Sequence, residues 1–247
     1  MPFNRLYLFT FRVAIILAAI SFPLGVAEGA EDRAGEMLAM NNHLSTSFLD
    51  TAPAVLPAIE SSSAANEALA LTADTDLPQR NLWQRIRSGY ALPELDTPLV
   101  ARHEHWYASQ PDYVARMTDH ARMYLYFIVH EVERRGMPTE IALLPMIESA
   151  FNPTAYSVSR AAGIWQFIPS TGKHFGMQQN WWYDGRRDVI GATNGALDYL
   201  QNLHDEFGDW ELALAAYNCG EHCIERAQKR NRRLHKSTDL LSLKLPK

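Results

Sequence analysis

The sequence predicts a mainly α-helical protein, and three observations predict it. Val114, Met117, Ala121, Leu125, Ile128 and Val132 recur at spacings of three and four, the apolar stripe of an amphipathic helix. Val189, Ala192, Ala196, Leu200, Leu203 and Phe207 repeat that spacing further on. Start and stop residues bracket the second stripe: Asp188 is placed to cap its first turn, Gly208 to end it, and Asp209 to cap a third helix from Trp210 to Tyr217.

In chain order, residues 1–27 read as an export signal. Arg5 and Arg12 precede an apolar core from Val13 to Leu24, and Gly25-Val26-Ala27 offers small residues for a cut near Ala27. The apolar run is shorter than the roughly 20 residues of a membrane span, and no cysteine stands near the cut for acylation. A periplasmic location is the expectation. Residues 28–80, rich in Ala, Ser, Asp, Glu and Thr, read as a low-order tether. Residues 81–108 read as a lead-in whose Trp83 and Tyr90 pack onto the following domain.

Ser109-Gln110-Pro111-Asp112 opens a helix that runs along the first stripe until Gly136 and Pro138 stop it. Ile141 to Ile147 is an apolar run without a polar stripe, so it predicts a helix buried on most sides, with Thr139 as N-cap. Pro145 should kink it or confine its regular turns to the C-terminal half. Glu148 ends the run, where burial and the negative helix end both disfavour a charged carboxyl. Asn152-Pro153 marks a turn, Ser157 and Ser159 supply hydroxyls, and Gly163 permits a close backbone approach. Trp165-Gln166-Phe167 then alternates rings with an amide. Rings beside amide donors suit a sugar, whose C–H faces stack while its hydroxyl and N-acetyl groups need hydrogen bonds. By residue type alone, a carbohydrate acid and a glutamate that merely terminates a helix both remain open readings of Glu148.

Trp181-Trp182-Tyr183-Asp184 reads as a loop, with at least one of its tryptophans in the core. Asp184 and Asp188 are the nearby candidates for a second carboxylate, and Asp188 is better used as a cap. His103, His105, His120 and His130 form no metal-ligand spacing, so neither metal nor cofactor is expected. A net charge of −5 gives no reason to expect nucleic acid. Two cysteines are too few for a disulfide scaffold, and for Cys219 and Cys223 a local disulfide and two free thiols both stay open. Arg226 to Lys236 is a basic run, read as a solvated helix face or an attractor of anionic polymer.

The segments IESAFNPTAYSVSRAAGIWQFIPSTG, WWYDGRRDVIGAT and LALAAYN, in that order, resemble the soluble lytic transglycosylase (SLT) catalytic domain, from about Leu82 to about Lys236. The resemblance implies a lysozyme-like α+β fold over 109–236. It also implies cleavage of peptidoglycan glycan strands between N-acetylmuramic acid and N-acetylglucosamine, leaving a 1,6-anhydro end. In that reading Glu148 is the catalytic acid. Ser157, Gln166, Tyr217 and Asn218 touch substrate or orient the acid, with Trp165 a weaker addition. Glycan strands would be the partner, with peripheral association to the membrane or wall. Cys219 and Cys223 depart from the small or polar residues usual there. Residues 237–247 read as a shortened tail where family members continue into further helices and wall-binding modules. A goose-type hydrolytic lysozyme of the same fold and a non-catalytic wall-binding protein are the alternatives.

Overall fold

The computed structural model describes residues 81–95 and 97–245. The export signal and tether expected over 1–27 and 28–80 lie outside the described residues. Among the described residues the architecture is helical, with no strand beyond three isolated antiparallel bridges: Tyr156 with Ala162, Ala162 with Phe167, and Gln179 with Asp184. This is the mainly α class that the periodicity predicts.

Nine α-helices follow one another among the described residues: α1 (Leu82–Ser88), α2 (Pro98–Ala108), α3 (Pro111–Ala121), α4 (Leu125–Arg134), α5 (Leu144–Ser149), α6 (Pro169–His174), α7 (Val189–Phe207), α8 (Trp210–Cys219) and α9 (Glu221–Arg233). Short 3-10 turns at Thr139–Leu143, Gly185–Arg187 and Leu240–Ser242 complete them. The stripe from Val114 to Val132 belongs to two helices, not one. At the break the Arg122 N–H is shared between the Thr118 and Asp119 carbonyls, and Tyr124 N–H reaches Ala121 O at 3.0 Å. These tightened bonds re-aim the chain without losing the apolar phase, so Met117, Ala121, Leu125, Ile128 and Val132 are all buried.

α7 is the longest helix among the described residues and packs against both α8 and α4. Its Asp188 accepts from the Ile190 and Gly191 amides, and Gly208 closes it in the left-handed conformation at φ 69°. Asp209 likewise caps α8 through Leu212 N–H. Ala192, Ala196, Leu200 and Leu203 face the core, as their spacing predicts.

The lead-in is part of this core. Ile86 is buried, and Trp83, Tyr90, Leu92 and Leu95 pack against it. Buried Glu140 holds the segment from the other side, its Oε1 accepting the Ala91 and Leu92 amides at 2.9 Å each. Thr139 does not cap a helix. Its hydroxyl donates to Ile86 O and its N–H to Gly89 O, because α1 rather than solvent lies against that turn.

Candidate active site

Glu148 sits in the last turn of α5, half-buried, at the end of the apolar run. Pro145 occupies the first turn of α5, and the residues before it form a 3-10 turn; the regular turns are confined to the C-terminal half, as expected. The helix stops abruptly. Ala150 and Phe151 adopt positive φ of 51° and 57°, with Phe151 N–H bonded back to Pro145 O at 3.1 Å. Four of the five non-glycine residues with positive φ among the described residues lie between 150 and 166, so backbone strain is concentrated behind Glu148.

Three anchors hold this strained segment. Buried Ser149 donates from Oγ to Ile164 O at 2.9 Å, tying the helix of Glu148 to the loop around Gly163. Trp165, with no exposed surface, donates from Nε1 to Thr193 Oγ1 on α7 at 3.0 Å. Gly163, at φ 80°, lies against the Arg186 carbonyl so closely that any Cβ would collide with backbone. The close approach anticipated at Gly163 is therefore made by the protein's own chain.

Arg186 is the residue beneath that loop. It is 5 % exposed, donates to Asp184 through Nε and Nη2, and donates from Nη1 to Arg160 O (2.7 Å) and Phe167 O (2.9 Å). The guanidinium holds the Asp184 carboxyl below its ordinary range, so Asp184 is a fixed counter-ion. Neither Ser149 nor Arg186 was singled out by residue type. Ser149 directly follows Glu148, and Arg186 sits two residues from Asp184, the only signals that could have found them.

Tyr217 closes the site from α8. Its hydroxyl donates to Trp165 O at 2.7 Å, and its ring meets Phe167 and Tyr199 at 6.2 and 5.4 Å. Burial, then the neighbouring Glu148 and Tyr199, push its phenol well above the ordinary value. Tyr217 is thus a permanent donor beside Glu148. Gln166, at φ 49°, donates from Nε2 to Gly163 O at 2.8 Å. Ser157 accepts the Ala161 N–H at 3.0 Å, which shapes the turn, and Asn218 is exposed. A cleft of about 390 Å³ opens beside this aromatic layer, lined by Ser170, Thr171, His174, Tyr199, Glu206 and Glu221.

Two expectations change here. Trp165 offers no ring face to a ligand, because it is the buried pillar between the loop and α7. Neither loop tryptophan packs in the core: Trp181 is 82 % and Trp182 87 % exposed, since Asn180 and Asp184 pin the loop outward. The open question at Cys219 and Cys223 resolves as a disulfide, with Cα atoms 5.9 Å apart across the α8–α9 joint. Among the described residues no group of three His, Cys, Asp or Glu could hold a metal, and no helix is long and apolar enough to cross a membrane.

Comparison with known proteins bears on this arrangement. The Transglycosylase SLT domain matches residues 125–240. Membrane-bound lytic murein transglycosylase D of Escherichia coli (strain K12) is 42% identical over 170 residues, which are 68% of this chain and 38% of that protein. A chain named for tributyltin chloride resistance, from Alteromonas sp. (strain M-1), is 52% identical over 108 residues, 43% of this chain and 52% of that one. Membrane-bound lytic murein transglycosylase C of Glaesserella parasuis serovar 5 (strain SH0165) is 27% identical over 179 residues, covering 66% and 46%. The chain thus spans between about two fifths and half the length of these relatives. With Glu148, Gln166, Tyr217 and Asn218 all inside the matched region, this chain carries a Transglycosylase SLT domain over residues 125–240.

Proposed function

We propose that this protein is a peptidoglycan lytic transglycosylase, a carbon–oxygen lyase working in the cell envelope, with Glu148 as its one acid and base. The observation that carries the reading is that half-buried Glu148 is an electrostatic neighbour of Tyr217, whose hydroxyl bonds the 163–167 loop, while Asp184 is occupied by Arg186. Ordinary glycosidases flank the scissile bond with two carboxylates, the second acting as nucleophile or as base for water. With its candidate partner tied up, Glu148 suits a reaction in which the substrate supplies the nucleophile.

In that reaction protonated Glu148 donates to the glycosidic oxygen between N-acetylmuramic acid and N-acetylglucosamine, and the C–O bond breaks. The substrate's acetamido oxygen steadies the oxocarbenium-like carbon. The Glu148 carboxylate then takes the proton of the muramyl 6-hydroxyl, whose oxygen closes the 1,6-anhydro ring, and no water is consumed. Gln166 and Ser157 contact the substrate or orient Glu148, and exposed Asn218, next to Tyr217, supplies a substrate hydrogen bond. Tyr217 orients the site from below. The segment from 81 to 108 serves as a structural wall of the catalytic unit, and residues 1–27 as its export signal.

Mass analysis of the fragments released from purified sacculi tests this function. Anhydro-muropeptides, one water lighter than their hydrolytic counterparts, are the expected products. Reducing muramic acid ends would assign the site to a hydrolytic lysozyme of the same fold, and binding without release would make the protein a wall-binding module.

A further inference from the structure

We propose that the loop bearing Trp181 and Trp182 seats this domain on an anionic phospholipid surface, a role separate from glycan cleavage and independent of it. The two indoles are the most exposed large aromatics of the domain, and they lie next to one another with centroids 5.1 Å apart at 77°. Their exposure is built in. Asn180 Oδ1 accepts the Trp182 and Tyr183 amides at 2.9 Å each, Asn180 N–H donates to Tyr183 O at 2.8 Å, and Gln179 Nε2 anchors the base to Pro169 O at 2.9 Å. A turn held this firmly cannot fold its rings away. Two indoles kept in water lose the burial that ordinarily rewards them, which marks a contact surface.

The neighbours of the pair identify the surface. Ile190, 62 % exposed, follows on the first turn of α7, and half-exposed Tyr183 precedes it. Arg187, exposed five residues after Trp182, reaches over the Tyr156 ring at 5.9 Å, and Val158 in the turn that follows Tyr156 is fully presented to solvent. Sugar recognition needs acceptors as well as donors beside a ring face, and here the side-chain acceptors are already engaged. Asn180 is bound to backbone, Asp184 to Arg186, and Asp188 to the start of α7 and the Tyr183 hydroxyl. The near-perpendicular indoles also share no common stacking plane. What is left is aromatic, aliphatic and guanidinium, the set that settles at a lipid interface with rings at headgroup depth and Arg on phosphate.

The test uses the full chain with vesicles of mixed anionic and zwitterionic phospholipid whose acyl chains carry bromine, a quencher of indole emission. Six tryptophans contribute to the signal, so the readout is the difference between the parent and Trp181→Phe/Trp182→Phe. This difference reports the loop alone, whatever else in the chain meets the bilayer. Quenching at least twofold greater in the parent is expected, together with roughly tenfold weaker vesicle binding for Trp181→Ala/Trp182→Ala at an unchanged melting temperature. Equal quenching of parent and Phe variant would overturn the proposal. So would a shift of the loop's emission by glycan strands but not by vesicles, which would make it a sugar platform.

Discussion

The Tyr217 hydroxyl donates to the Trp165 carbonyl at 2.7 Å, joining the end of α8 to the strained loop that faces Glu148. This bond is partly buried, and burial of the phenol, then the neighbouring Glu148, hold its donor protonated well above the ordinary value. Tyr217→Phe removes the donor while keeping the ring against Phe167 and Tyr199. A stability loss of about 1–2 kcal/mol is expected from the unpaired carbonyl. If the loop aims Glu148 as the proposed acid, kcat falls by about 10- to 100-fold with KM little changed. Steady-state kinetics on a soluble glycan, beside urea denaturation, would check both.

Ala150 carries left-handed strain directly behind Glu148, at φ 51°. Glycine adopts that conformation without the Cβ clash, so Ala150→Gly should raise stability by about 1 kcal/mol. The same change frees the residue that fixes the end of α5, and activity should drop severalfold. A higher melting temperature with lower kcat is the expected combination; a rise in both would show that the strain has no part in aiming Glu148.

Asp184 and Arg186 give the domain a specific acid sensitivity. The guanidinium's hydrogen bonds depress the folded-state pKa of Asp184 below its ordinary 3.8. The pair's stabilisation is therefore complete above the unfolded-state value and is lost as pH falls through the folded-state value. Asp184→Asn leaves buried Arg186 without a counter-charge, at a cost of about 2–4 kcal/mol near neutral pH. Urea denaturation at pH 7 and at successively lower pH below 3.8 should find the parent–variant gap wide at the first and narrowing steadily as Asp184 takes up its proton.

The helical frame could be read from the sequence wherever an apolar stripe met a cap. Asp188, Gly208 and Asp209 bound their helices where their chemistry places them. The break between α3 and α4 has no glycine or proline to announce it, since the tightened turn at Arg122–Tyr124 preserves the stripe. At the site, Glu148 at the end of a buried run and the close approach at Gly163 were legible as local features. Trp165 was not, because a ring suited to a sugar and a ring suited to a core are the same residue. Its burial depends on Thr193, 28 positions away. Trp181 and Trp182 failed in the opposite direction: composition sends tryptophan inward, and only the Asn180 turn reveals that these two are held out.

The Cys219–Cys223 bridge closes a short loop over Gly220, which sits at φ 88° between α8 and α9. A loop this small restricts the unfolded chain modestly, by about 2 kcal/mol. Reduction, or Cys219→Ser/Cys223→Ser, should lower the melting temperature by roughly 4–8 °C. Calorimetry with and without reductant would measure it, and the double serine variant should be insensitive to reductant.

In the proposed reaction Glu148 alone moves the proton in both halves. Glu148→Gln keeps the size and the helix end but cannot donate or accept that proton, so the rate should fall at least about 10²- to 10⁴-fold. The direct measurement is the rate at which purified Glu148→Gln protein, with the melting temperature of the parent, releases anhydro-muropeptides from sacculi. Binding to sacculi with release near background is expected. Release at the parental rate would contradict it and move the acid to another residue.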